Sequence, residues 1–147
     1  MPRTTTIATA LAALALTGCG SSQPQSARTV EVHVGGAEVR AEIAAGEAAR
    51  EQGLSGRASL AEDRGMLFVY PDHIERTYWM KGMRFPIDIV WIDRGRVTGV
   101  EADAPVPVGG DLPRYSSRAP ADRVLEVRAG WAARHGVERG DRVSIGR

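Results

Sequence analysis

One cysteine among 147 residues excludes an intrachain disulfide and any metal cluster built on cysteine. Charge of one sign is also lacking: 19 basic side chains face 18 acidic ones, a formal net charge of +1. The chain therefore gives no general electrostatic reason for a polyanionic partner, and nucleic acid is not expected. No metal signature of the His-x-x-x-His type, no Gly-x-Ser-x-Gly nucleophile motif and no phosphate-binding loop occurs. His33, His73 and His135 fall in three unrelated segments, and Asp72 beside His73 reads as a solvated neighbour in a polar loop.

The lone cysteine, Cys19, has a position that explains it. Arg3 supplies a positive start, Ile7 to Leu16 an apolar run, and Leu16-Thr17-Gly18-Cys19 ends that run with small residues, the layout of a cleavable signal peptide. The run falls short of the ~20 residues that span a bilayer. The tetrad also resembles the lipobox of bacterial lipoproteins, in which the cysteine becomes the lipidated first residue. The expected organisation is a signal peptide over residues 1–18, a lipidated Cys19 and flexible tether over 19–28, and a β domain over 29–147. It implies a bacterial protein held outside the cytoplasm on a membrane by its N-terminal lipid anchor, within the cell envelope.

Along the domain, Val30, Val32 and Val34 alternate, as do Ala37, Val39, Ala41 and Ile43, and Gly35-Gly36 lies between the two runs. This predicts a hairpin on a primed turn. Glu47 to Gln52, followed by Gly53, predicts a short helix with a left-handed closing residue. Met66 to Tyr70 is a continuous apolar run that suits a strand buried on both faces, ended by Pro71. Pro71 to Thr77 then reads as a loop. A second hairpin is expected with Tyr78 to Lys81 and Ile87 to Asp93 as its arms. Ala104 to Pro113, with three Pro and two Gly, reads as an extended loop that Tyr115 to Pro120 continues. Val124 to Val127 is a strand, Gly130 to His135 about one helical turn, and Val137 to Val143 a turn into the last strand. The fold class is mainly β, a small antiparallel, barrel-like domain with one or two short helices.

The ordered series Gly53-Leu54, Arg57, Gly65-Met66-Leu67-Phe68, Trp79-Met80-Lys81, Pro86-Ile87-Asp88-Ile89, Ile92-Asp93, Val124-Leu125-Glu126, Gly130 and Gly140-Asp141 resembles the domain-of-unknown-function 192 family, DUF192. The resemblance spans approximately Val30 to Ile145. It implies a small barrel-like β domain, often exported, with no established activity. Two departures stand out: Ser55 where the family usually has Met, and Gly82-Met83 where it usually has Asn-Thr or Asn-Met.

Two of the three tryptophans and two of the four methionines lie between Tyr78 and Asp93. Asp88 shares a strand face with Val90 and Ile92, where a carboxylate is costly unless paired or multiply hydrogen-bonded. It reads either as a structural acceptor of amides in the Gly82 to Pro86 turn or as a ligand-binding acid, with Lys81 and Arg84 as nearest candidate partners. Trp79 and Trp91 are either core or an apolar platform in a common cleft. The expected function is binding of a small ligand or an envelope protein through Trp79, Lys81, Asp88 and Trp91, with no cofactor. An enzyme using Asp88 or Asp93 as acid and base is one alternative. Another is Cu(I) handling by Met66, Met80 and Met83, since thioethers suit that soft ion, against the reading of these residues as gap fillers.

Overall fold

The computed structural model describes residues 28–146. The signal peptide, Cys19 and the tether as far as residue 27 lie outside the described residues.

Among the described residues, seven strands and two short helices follow one another as β1 (Thr29–Val34), β2 (Ala37–Ala44), α1 (Glu47–Gln52), β3 (Arg64–Trp79), β4 (Ile87–Asp93), β5 (Arg96–Ala104), β6 (Arg114–Arg128), α2 (Trp131–Arg134) and β7 (Val143–Ile145). The strands form one sheet in the order β5-β4-β6-β3-β2-β1-β7. Its two ends meet, because Arg96 bridges Arg142, the Val97 amide donates to Asp141 O at 2.9 Å, and the Val143 amide donates to Gly95 O at 2.8 Å. The sheet thus curls into the expected barrel-like form.

Local chemistry explains the first elements. Gly35, at φ 59°, makes the turn between β1 and β2, whose register runs from Thr29 opposite Glu42 to Val34 opposite Ala37. Gly53, at φ 47°, closes α1. β2 and β3 pair in parallel, which a tight turn cannot connect. The α1 segment makes this crossover, and Arg57 pins it to β2 through paired bonds to Glu42 Oε1 and Oε2 at 2.6 and 2.7 Å. That guanidinium holds the Glu42 carboxyl below its usual range.

Three expectations are corrected. The arms around Gly82 to Pro86 are not a hairpin, because β6 lies between β3 and β4 and pairs with both. Val124 to Val127 is apolar enough to occupy the centre of the sheet, whereas the connection after Trp79 has no two-residue turn to hold β3 against β4. Pro71 does not end β3: the strand runs on to Trp79, with register shifts between Val69 and Ile74 and between Glu75 and Thr77. Such irregularities are where a strand tolerates proline. Tyr115 to Pro120 is likewise strand, held opposite this distal part of β3.

Strand alternation divides the buried residues between the two sides of the sheet. Val32, Val39, Leu67, Val90, Ile92, Leu125 and Val127 pack inside with Trp131 of α2. Met66, Phe68, Ile87, Ile89, Trp91 and Val124 pack outside, roofed by Leu54 and Leu60 from one connection and Met80 and Met83 from another.

Asp88, with 0% of its surface exposed, lies where β4 is covered by α2. Its Oδ1 accepts from the amides of Asp103 at 2.9 Å and Gly130 at 3.0 Å, and its Oδ2 from that of Ala132 at 2.8 Å. Neither Lys81 nor Arg84 is its partner, and the amides do not come from the Gly82 to Pro86 turn. They come from the end of β5 and the start of α2, so one carboxylate ties three segments together. Asp88→Ala leaves three amides without this acceptor and is expected to cost about 3 kcal/mol or more, read as a lowered urea midpoint.

Candidate functional site

Beyond Phe68, β3 has no pairing with β2, which ends at Ala44. The chain there turns into α1, and the space between α1 and the far half of β3 opens as a groove of about 750 Å³. Arg50 of α1 marks the divergence by donating from Nη1 to Val69 O at 3.1 Å and to Ala45 O. Tyr70, Tyr78 and Trp79 come from β3, Lys81 and Met83 from the connection to β4, and Glu126 from β6.

The rings of the groove are fixed from below. Tyr78 packs edge-on against Phe68 and Trp91, each at 5.3 Å between centroids, and its hydroxyl lies 2.7 Å from that of Tyr70. Burial first, then the adjacent Tyr70, raises the Tyr78 phenol well above its ordinary range, so it stays a neutral donor. Arg76 stacks on the Tyr70 ring at 3.8 Å. Trp79 is different: 47% exposed, it stands at the rim with Lys81 Nζ at 5.4 Å and the Arg114 guanidinium at 5.5 Å from its ring centre. Lys81 is the chain's one lysine.

Of the four residues expected at a site, the structure brings Trp79 and Lys81 into the groove and leaves Asp88 and Trp91 out of it. Trp91 is 3% exposed, in the outer core beneath Tyr78, so the two tryptophans share no cleft. Asp93 is elsewhere, beside His73. Met66, Met80 and Met83 all belong to the outer apolar cluster, and only Met83 reaches the groove. Gly82, at φ 72°, also lines the groove, and a Cβ placed there would stand 2.1 Å from Ser55 Oγ. The two departures from the family pattern are therefore neighbours in space.

Glu126 is the residue that sequence reasoning passed over. It lies opposite Met66 and Ile89 at the centre of the sheet, 6% exposed, and no hydrogen bond from the described residues reaches its carboxyl. Burial raises its pKa to about 8. The groove thus has a neutral acid, able to donate a hydrogen bond, in its wall. An acidic residue inside the apolar run Val124 to Val127 was the signal available.

The DUF192 family profile, described as an uncharacterized ACR, matches residues 29–145. The chain belongs to the DUF192 family. A crystal structure of a candidate transcription regulator from Sinorhizobium meliloti 1021 is similar to it at 32% identity and a TM-score of 0.75, over 84% of this chain and 98% of that one. Another, of a protein of unknown function from Novosphingobium aromaticivorans DSM 12444, is similar at 30% identity and a TM-score of 0.74, over 87% of this chain and 94% of that one. No curated protein matches the chain significantly.

The Glu126 carboxyl in this DUF192 domain sets a pH dependence with a definite sign. Its pKa is raised from 4.5 to about 8 on folding, so the folded state binds its proton more tightly than the unfolded state. This contribution is fully present below the unfolded value and is lost as pH rises through the folded one. Glu126→Gln should remove that decline and be the more stable protein at pH 9 by on the order of a few kcal/mol, measured by denaturant titration at several pH values.

Proposed function

We propose that the protein is an extracytoplasmic, lipid-anchored binding module of the bacterial envelope, whose groove takes a small ligand or a segment of an envelope protein. The observation that carries the binding reading is the convergence in one groove of an exposed ring, Trp79, a cation, Lys81, and a buried uncharged acid, Glu126. A few polar groups set among apolar walls are what small-molecule sites generally have. Lys81 suits an anionic group, Trp79 and Tyr70 a flat or apolar body, and protonated Glu126 an acceptor on the part held deepest. The anchoring reading rests on the Leu16-Thr17-Gly18-Cys19 tetrad and the apolar run before it.

An acid and base role for Asp88 finds no open approach, because its carboxylate is fully covered and both oxygens are engaged by amides. The relative described as a candidate transcription regulator does not bring nucleic acid into this reading. The chain is nearly neutral, and Glu47 and Glu51 stand in the groove with its cations.

Native mass spectrometry of protein extracted from its own envelope, combined with crosslinking, tests the binding. A co-purifying molecule or crosslinked partner is expected with the natural chain and should be lost in Lys81→Ala and Glu126→Leu proteins that keep their fold, since leucine removes the hydrogen-bond donor that glutamine would retain. Preparations that are bare in all three cases count against binding. For the anchor, Cys19→Ala should shift the protein from the membrane fraction to the soluble one; unchanged partitioning would refute lipidation at that residue.

A further inference from the structure

We propose a second site, a divalent metal site of the Zn²⁺ or Mn²⁺ class formed by His73, Asp93 and Asp122. None of the three lines the groove. A ring nitrogen of His73 and one carboxylate oxygen from each aspartate lie within 4.8 Å of one another. The three residues come from different strands. His73 sits in the irregular part of β3 between Val69 and Ile74, Asp93 ends β4, and Asp122 lies in β6 between those two strands. Their convergence follows from the same strand insertion that overturns the expected hairpin.

Asp122 supplies an independent indication. The residue is only 8% exposed; Oδ2 accepts from Arg123 Nη1 at 2.8 Å, whereas Oδ1 is buried with no partner among the described residues. Leaving a buried carboxylate oxygen unsatisfied is costly, and a cation held between Asp122, Asp93 and His73 would satisfy it. The cluster also grades outward, from buried Asp122 through the Asp93 side chain, 17% exposed, to that of His73, 39% exposed. That arrangement offers both an inner ligand and an entry path.

The donor set selects the ion. One imidazole and two carboxylates suit borderline divalent ions; without thiolate or thioether they do not favour Cu(I), and the imidazole disfavours an all-oxygen Ca²⁺ cage. His73 Nδ1 lies 2.6 Å from Asp93 Oδ1 in a hydrogen bond. Ligands ~2.0–2.2 Å from a common metal stand farther apart than that, so binding must open this contact slightly. Placement of His73 at an irregularity of β3 provides for such a movement. Arg94, 3.9 Å from Asp93, and Arg123 already balance the two carboxylates, so an added ion meets repulsion as well as attraction and the affinity is moderate.

Isothermal titration of the tag-free domain with ZnCl₂ and with MnCl₂ tests the site. One ion per chain is expected, weakened about ten-fold or more in His73→Ala and in Asp122→Asn, and unchanged in His33→Ala and Lys81→Ala. His73 lies at the surface, its side chain 39% exposed, so its variant is expected to fold even if Asp122→Asn does not, and a urea midpoint establishes this for each. Absence of binding by the natural domain, or equal binding by a folded His73→Ala protein, overturns the proposal.

Discussion

The three amide bonds to Asp88 are the constraint on which the arrangement of this domain depends. They gather the end of β5, the left-handed Gly130 and the first turn of α2 onto β4. With α2 placed, Trp131 fills the inside of the curled sheet, and the chain beyond it returns to set β7 against β1 and the residues before β7 against β5. A carboxylate buried with three donors is stabilising because each hydrogen bond to a charged acceptor offsets part of its lost hydration.

Glu126 stands in opposition to Asp88 although the two are close in the sheet. Asp88 is opposite Val127, and Ile89 opposite Glu126, so alternation sends the two acids to different faces. On the inner face the carboxylate meets the backbone of α2 and β5 and is satisfied by three amides. On the outer face the carboxyl meets apolar side chains and holds its proton to about pH 8. The first acid builds the fold, and the second gives the groove a donor.

Much of the fold was legible in the chain. The Gly35-Gly36 turn, α1 with its closing Gly53, the doubly buried start of β3 and the Pro-rich loop after Ala104 all follow from local residue chemistry. The far halves of β3 and β6 were not legible, since neither has a clear alternating pattern and the two are strands because they pair with each other. The aromatic and charged cluster from Tyr78 to Asp93 was visible as unusual, yet its members divide among groove, core and inner face. Proximity along the chain does not reveal that β6 enters between β3 and β4.

What the sequence by itself determined is the first hairpin, the two short helices and the core strands, the barrel-like β class, the family and the demand that a buried Asp88 be paired or multiply hydrogen-bonded. The family rests on its ordered series of short motifs; the others depend on periodicity, turn residues and the cost of burying charge, all of which are local. Only the tertiary structure decided which amides meet Asp88, that Trp79 and Trp91 part company, that Glu126 reaches a groove, and that His73, Asp93 and Asp122 converge. Each of these depends on strand order, which is set by the packing of both faces of the sheet at once and is not carried by any one segment.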